Sequence, residues 1–185
     1  MLNWNPQGDY PKVDATSYID PTAVLIGNVE VGKRVFVGPG AVLRADEPDS
    51  LIVIGDDCNV QDRVIIHALK GSSVLVKEKT SLSHGCIIHG PCKIGKNCFI
   101  GFGSVVFDAE LKDSVFVHHL AVVQGVKVKV GKFIPAGAVI ETPTHALRLK
   151  EISAKLRGFS LRVRQANQVL VQGYKSVKVN ERHEK

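Results

Sequence analysis

A parallel β-helix of hexapeptide turns, followed by a C-terminal α-helical segment, is the mainly β fold that this 185-residue sequence predicts. Three observations predict it. Large aliphatic residues recur every six positions, the fifth residue of each hexad is small or β-branched, and glycine is frequent (17 residues) while aromatics make up only 6%. A β-sandwich of similarly short strands would turn every eight to twelve residues and alternate with period two. A period of six held over ~120 residues instead fits stacked coils of three hexads. Such coils form a triangular prism with about 18 residues per rung and ~4.8 Å between rungs.

Residues 1–17 read as an N-terminal arm, and the β-helix spans 18–141. Its hexads begin at Ile19, Leu25, Val31, Val37 and Leu43, with Ala23, Val29, Val35 and Ala41 at the small positions. They resume at Ile54, Val60 and Ile66, then run from Val76 through Leu82, Ile88, Ile94 and Ile100 to Val106, and from Leu111 through Val117 to Val123. Val128, Ile134 and Ile140 close the series. Cys58, Cys86, Cys92 and Cys98 all fall at the fifth position. They read as small core residues, since a zinc site favours pairs such as C-x-x-C, and four unpaired thiols point to a reducing cytoplasm. Thr142-Pro143 ends the strands, and 142–185 reads as a helical segment. Within it Ala146 to Arg157 is expected as one helix, Gly158 as an interruption and Ser160 as the cap of a second.

The formal charge of +6 is unevenly placed. Residues 145–185 hold ten Lys/Arg against three Asp/Glu, leaving 14 against 15 in residues 1–144. The basic excess therefore belongs to the C-terminal segment, where one apolar helix face would pack on the prism and the cations would face water. Neither an aromatic platform nor a recognition motif accompanies it, so no nucleic-acid partner is expected. The first residues contain no charged leader followed by an apolar run, and no stretch of eighteen apolar residues occurs, so neither a secretory leader nor a membrane partner is expected.

Polar residues that follow directly on an inward aliphatic residue cannot enter the core. Arg44, Gln61, His67 and His89 are of this kind. Ile66 to Ile88 counts as three steps, the first with four inserted residues, which makes His67 and His89 neighbours one rung apart. At ~4.8 Å between rungs their imidazoles could share one metal. His84 belongs to the preceding face, together with Gln61, and Arg44 joins that face if Leu43 to Ile54 counts as two steps with one residue missing. Within one prism His84 then points away from the other two histidines. All three meet if prisms pack as a threefold ring, one site per interface. A three-histidine site leaves a coordination position for water and preserves the metal's charge, so that the bound water ionises to hydroxide near neutral pH. Gln61 could orient that water or the substrate, and Glu47 could accept a proton. Arg44 and Asp46 suit ion pairing across the subunit contact. His118, His119, His145 and His183 find no such partners and read as structural or surface residues.

These stretches resemble the gamma-class carbonic anhydrases. R-A-D-E from Arg44, N-V-Q-D from Asn59, I-I-H-A-L around His67, S-L-S-H-G-C-I-I-H-G-P from Ser81, I-P-A-G from Ile134 and Q-G-Y-K near Tyr174 carry the resemblance. It implies a left-handed parallel β-helix assembled as a homotrimer, and a Zn2+ ion, or Fe2+ or Co2+ in its place, held by His67 and His89 of one subunit and His84 of the next. It further implies reversible hydration of CO2 to bicarbonate, with Gln61 near the metal-bound water, Glu47 handling protons, and Arg44, Asp46 and Asp62 at the subunit contact. The archaeal type carries a longer acidic loop after the first histidine. Here A-L-K-G-S-S-V follows His67, which leaves proton export to Glu47, buffer or another group. Two other functions fit the repeat: an acyltransferase using acetyl-CoA with one histidine as base, and a low-activity scaffold subunit docking through its basic tail.

Overall fold

The computed structural model describes residues 1–183, with side chains to residue 177. Its strands are two to eight residues long and stack in parallel register into three flat ladders around one core. On the first face Leu25 pairs with Leu43, Leu43 with Ile66, Ile66 with Ile88, Ile88 with Val106, Val106 with Val123 and Val123 with Ile140. The second face runs Val31, Ile54, Val76, Ile94, Leu111 and Val128. The third runs Ile19, Val37, Val60, Leu82, Ile100, Val117 and Ile134. Every inward aliphatic of the hexad grid from Leu25 to Ile134 is buried, as are the small residues beside it and all four cysteines, which are free thiols. The fold is thus a parallel β-solenoid of about seven turns. The reason is geometric: three short strands per coil turn one residue in two inward, and only residues of limited bulk fit the narrow interior.

The segment 1–17 carries strands of its own. Leu2 and Asn3 pair with Leu25 and Ile26, and Lys12 and Val13 with Glu30 and Val31, all in parallel. Beyond the strands, the sequence expectation needs correction. The helix expected over 146–157 is instead a short helix, Pro143–Leu147, capped by Thr142, then a strand, Lys150–Glu151, antiparallel to Lys132–Ile134. One 30-residue helix, Ala154–His183, follows and passes straight through Gly158. Ser153 starts it by accepting from the Leu156 backbone N–H at 3.3 Å. A glycine in a helix costs about 1 kcal/mol, which is less than the packing the helix gains along the third face. There Phe99 and Phe116, stacked at 4.5 Å, receive Phe159, and Tyr18 stacks on Tyr174 at 4.7 Å. No helix among the described residues is long and apolar enough to cross a membrane.

Candidate metal centre

On the first face, the residue after each inward aliphatic points outward and forms a column. Arg44 lies opposite His67, His67 opposite His89 and His89 opposite Phe107. The ladder register alone therefore places the two histidines side by side. His67 Nδ1 lies 3.1 Å from His89 Nε2, with the rings edge-on at 82°. Two nitrogens bound to one tetrahedral zinc at about 2.0–2.1 Å would be about 3.3–3.4 Å apart. The separation is close to that span, but the geometry is that of a ring-to-ring hydrogen bond: with Nε2 accepting from Arg44, a neutral His67 carries its proton on Nδ1. Binding a cation through Nδ1 would require that proton to move to Nε2, 3.3 Å from Glu47 Oε1.

Arg44 stands on this face and not on the Gln61 face where step counting put it. Leu43 to Ile54 is one step carrying five extra residues, since Leu43 pairs with Ile66 and Ile54 with Val76. The insertion returns Asp46 and Glu47 to the same side. Arg44 Nε is 3.1 Å from Asp46 Oδ1, and an Arg44 N–H donates to His67 Nε2 at 3.2 Å. Glu47 Oε1 lies 3.3 Å from the same nitrogen, while its other oxygen accepts the Lys70 backbone N–H at 2.8 Å. The Arg44–Asp46 pair, expected to bridge subunits, thus also forms within one chain. His67, with its side chain 14% exposed, is pushed below the usual histidine value, first by burial and next by the Arg44 charge. That favours the neutral imidazole a metal ligand must be.

His84 occupies the turn between the third and first faces and is 53% exposed. Its Nδ1 lies 3.2 Å from Asp62 Oδ2, and its ring packs against Phe102 at 5.4 Å. Asp62 itself fits tightly, because a Cβ on Gly38 would lie 2.7 Å from its Oδ1. Gln61 is 6% exposed, and its amide oxygen has no partner; the neighbouring Ser83 hydroxyl and Asn59 carbonyl oxygen are likewise unpaired. Among the described residues of the single chain, no three His, Cys, Asp or Glu side chains gather as a metal site. One chain therefore holds two separate clusters: His67 with His89, Arg44 and Glu47, and His84 with Asp62.

The thiols take no part in either. Burial pushes Cys58, Cys86 and Cys98 up to about 12, and Cys92, which donates to the His89 carbonyl at 3.1 Å, to about 11. Sequence reading missed the aromatic neighbours. Phe107 packs edge-on against His89 at 5.2 Å, and Phe102 stacks on His119 at 4.2 Å beside His84. Counting one coil on from His89 reaches Phe107, so that signal was present in the grid.

The family model for bacterial transferase hexapeptides (six repeats) matches residues 73–108. The carbonic anhydrase of Methanosarcina thermophila is 34% identical over 169 residues, covering 81% of this chain and 68% of that enzyme. The chain belongs to the gamma-class carbonic anhydrase family of hexapeptide-repeat proteins. The carboxysome assembly protein CcmM of Nostoc sp. is 35% identical over 181 residues, but these cover 92% of this chain and 32% of that longer protein. Among solved structures, a hexapeptide transferase family protein from Anaplasma phagocytophilum superimposes with a TM-score of 0.80 at 25% identity, covering 94% of this chain and 98% of its own. The gamma-class family thus shares its prism with transferases, so the fold by itself does not select a chemistry.

Proposed function

We propose that this protein is a metal-dependent carbonic anhydrase whose sites lie at the interfaces of a homotrimer. The observation that carries this reading is the in-register pair of His67 and His89, with facing nitrogens 3.1 Å apart. In it, His67 and His89 of one subunit and His84 of the next hold a divalent cation: zinc, or iron(II) or cobalt(II) in its place. Such an ion supplies Lewis acidity that lowers the pKa of a coordinated water. The chain's own residues do the rest. Burial keeps His67 neutral, and Asp62 holds the His84 ring through Nδ1, leaving Nε2 as its free donor atom. The unpartnered Gln61 oxygen is available to accept a hydrogen bond from water or bicarbonate, which a carbon dioxide molecule lacking any N–H or O–H cannot give. Glu47, half-exposed and anchored by the Lys70 backbone, takes the released proton and passes it to buffer.

The test is metal analysis of the purified protein together with a CO2 hydration assay after reconstitution with zinc or iron(II). Hydration that depends on the metal is expected. Stoichiometric metal without hydration in either form would sink the enzymatic reading. It would favour a second one, an assembly module, which draws support from the chain matching about a third of a carboxysome assembly protein. Acyl transfer from acetyl-CoA that survives chelation and the loss of His67 would instead favour the transferase reading.

A further inference from the structure

One ring stack beyond His84, through Phe102 to His119, a second concavity opens where the first turns of helix Ala154–His183 cross the third face. It encloses about 250 Å3, walled by Leu156 and Phe159 and ringed by His118, His119, Lys155 and Arg162. No carboxylate lines it, and among the described residues neither Lys155 nor Arg162 makes an ion pair. Two cations, Lys155 and Arg162, and two imidazoles thus surround an apolar floor, with no carboxylate among the described lining residues.

The two histidines are fixed in orientation and tautomer by the backbone. The His119 N–H donates to His118 Nδ1 at 2.8 Å, and the Phe102 N–H donates to His119 Nδ1 at 3.0 Å. A ring nitrogen that accepts carries no proton, so each neutral imidazole bears its proton on Nε2 and offers one donor. Burial and the adjacent His118 hold His119 below the usual histidine value, which favours that neutral form. The Phe102 ring, stacked flat on His119 at 4.2 Å, locks the arrangement from the other side.

We propose that this pocket binds a small monocarboxylate with a compact apolar body. A planar guanidinium fork matches a carboxylate bidentately, the imidazole N–H groups and the Lys155 ammonium can complete its hydrogen bonds, and Leu156 with Phe159 takes the body. The volume is below that of pockets for drug-sized ligands, so the body is one ring or a few branched carbons. Phosphate could meet the same cations but would leave the Leu156 and Phe159 floor unfilled, which favours a carboxylate that carries an apolar body. Bicarbonate, the product in the function proposed above, lacks the apolar body. This site does not depend on that function.

Titrating the full-length protein with benzoate, with bicarbonate and inorganic phosphate as comparisons, tests the proposal by calorimetry and by the ring signals of His118 and His119 in NMR spectra. Saturable benzoate binding that moves both rings is expected, with bicarbonate and phosphate weaker by more than about tenfold. Changing Lys155→Gln and Arg162→Gln together should weaken benzoate at least about tenfold without lowering the melting temperature. The proposal is overturned by absence of saturation, by bicarbonate or phosphate binding equally well, by unchanged affinity in the double variant, or by shifts confined to His67, His84 and His89.

Discussion

Two faces of the same prism, built on one inward grid, carry opposite outward columns. The first presents Ile26, Arg44, His67, His89 and Phe107 in successive rungs. The third presents Tyr18, Phe36, Asn59, Ser81, Phe99, Phe116 and Phe133, and the C-terminal helix covers it. The inward residues of both are equally buried, so the coil's interior is the same whatever the outward column carries. Outward aromatics recruit a helix; outward histidines instead bring two ring nitrogens within 3.1 Å of each other. The polar break at Asn59 and Ser81, joined by a 2.8 Å hydrogen bond, coincides with the level of Gln61 and Ser83, where the third face turns toward the site.

Breaking each column separately should give opposite signatures. Replacing His67 or His89 by alanine is expected to lower metal affinity by more than about a hundredfold and to abolish hydration. The melting temperature of the metal-free protein should barely move, because neither side chain lies in the core. A collapse in secondary structure on circular dichroism would contradict that separation. Phe116→Ala attacks the covered face: removing a ring 1% exposed and packed on Phe99 and Phe159 should cost about 3–5 kcal/mol in urea unfolding, with metal binding at the first face retained. If metal affinity fell in parallel, the two faces would be coupled and the contrast lost.

Smaller changes sharpen it further. Asp62→Asn removes the carboxylate beside His84 Nδ1 and should weaken metal affinity by about 10–100-fold, with stability unchanged. An effect no larger than that of an exposed control substitution would show that His84 needs no such partner. The smallest effect concerns acid. The Arg34 guanidinium, 2.6 Å from Asp57, holds that carboxylate below its ordinary value. The stabilisation is complete above the unfolded value of about 3.9 and fades as pH falls through the lower folded value. Arg34→Gln should therefore lower stability slightly at neutral pH and leave it unaltered in strong acid, so that the loss of stability below about pH 4 becomes flatter. An unchanged acid slope in unfolding experiments would remove this pair from the account.

Much of this was legible in the residues because a strict repeat is self-checking. Once three hexads make a coil, Ile66 and Ile88 must share a face and His67 must meet His89, as the register shows. The grid failed where an insertion imitates a repeat unit. Leu43 to Ile54 is eleven residues, which is one hexad plus five or two hexads minus one, and only backbone pairing tells these apart. The error moved Arg44 to the wrong face and hid its hydrogen bond to His67. Gly158 misled in another way, since local helix propensity is weak against a long packed face.

The sequence by itself determined the prism, its buried thiols and the pairing of two histidines, because a period of six and the rung spacing fix the register wherever an insertion is not mistaken for a further hexad. Tertiary structure decided which corner absorbed the five-residue insertion, that one helix seals the aromatic face, and that the His84 ring meets Asp62, whereas its separation from His67 and His89 within one prism was already readable from the face count. Loop lengths and docking surfaces are set by contacts between residues far apart in the chain, and no local period encodes those.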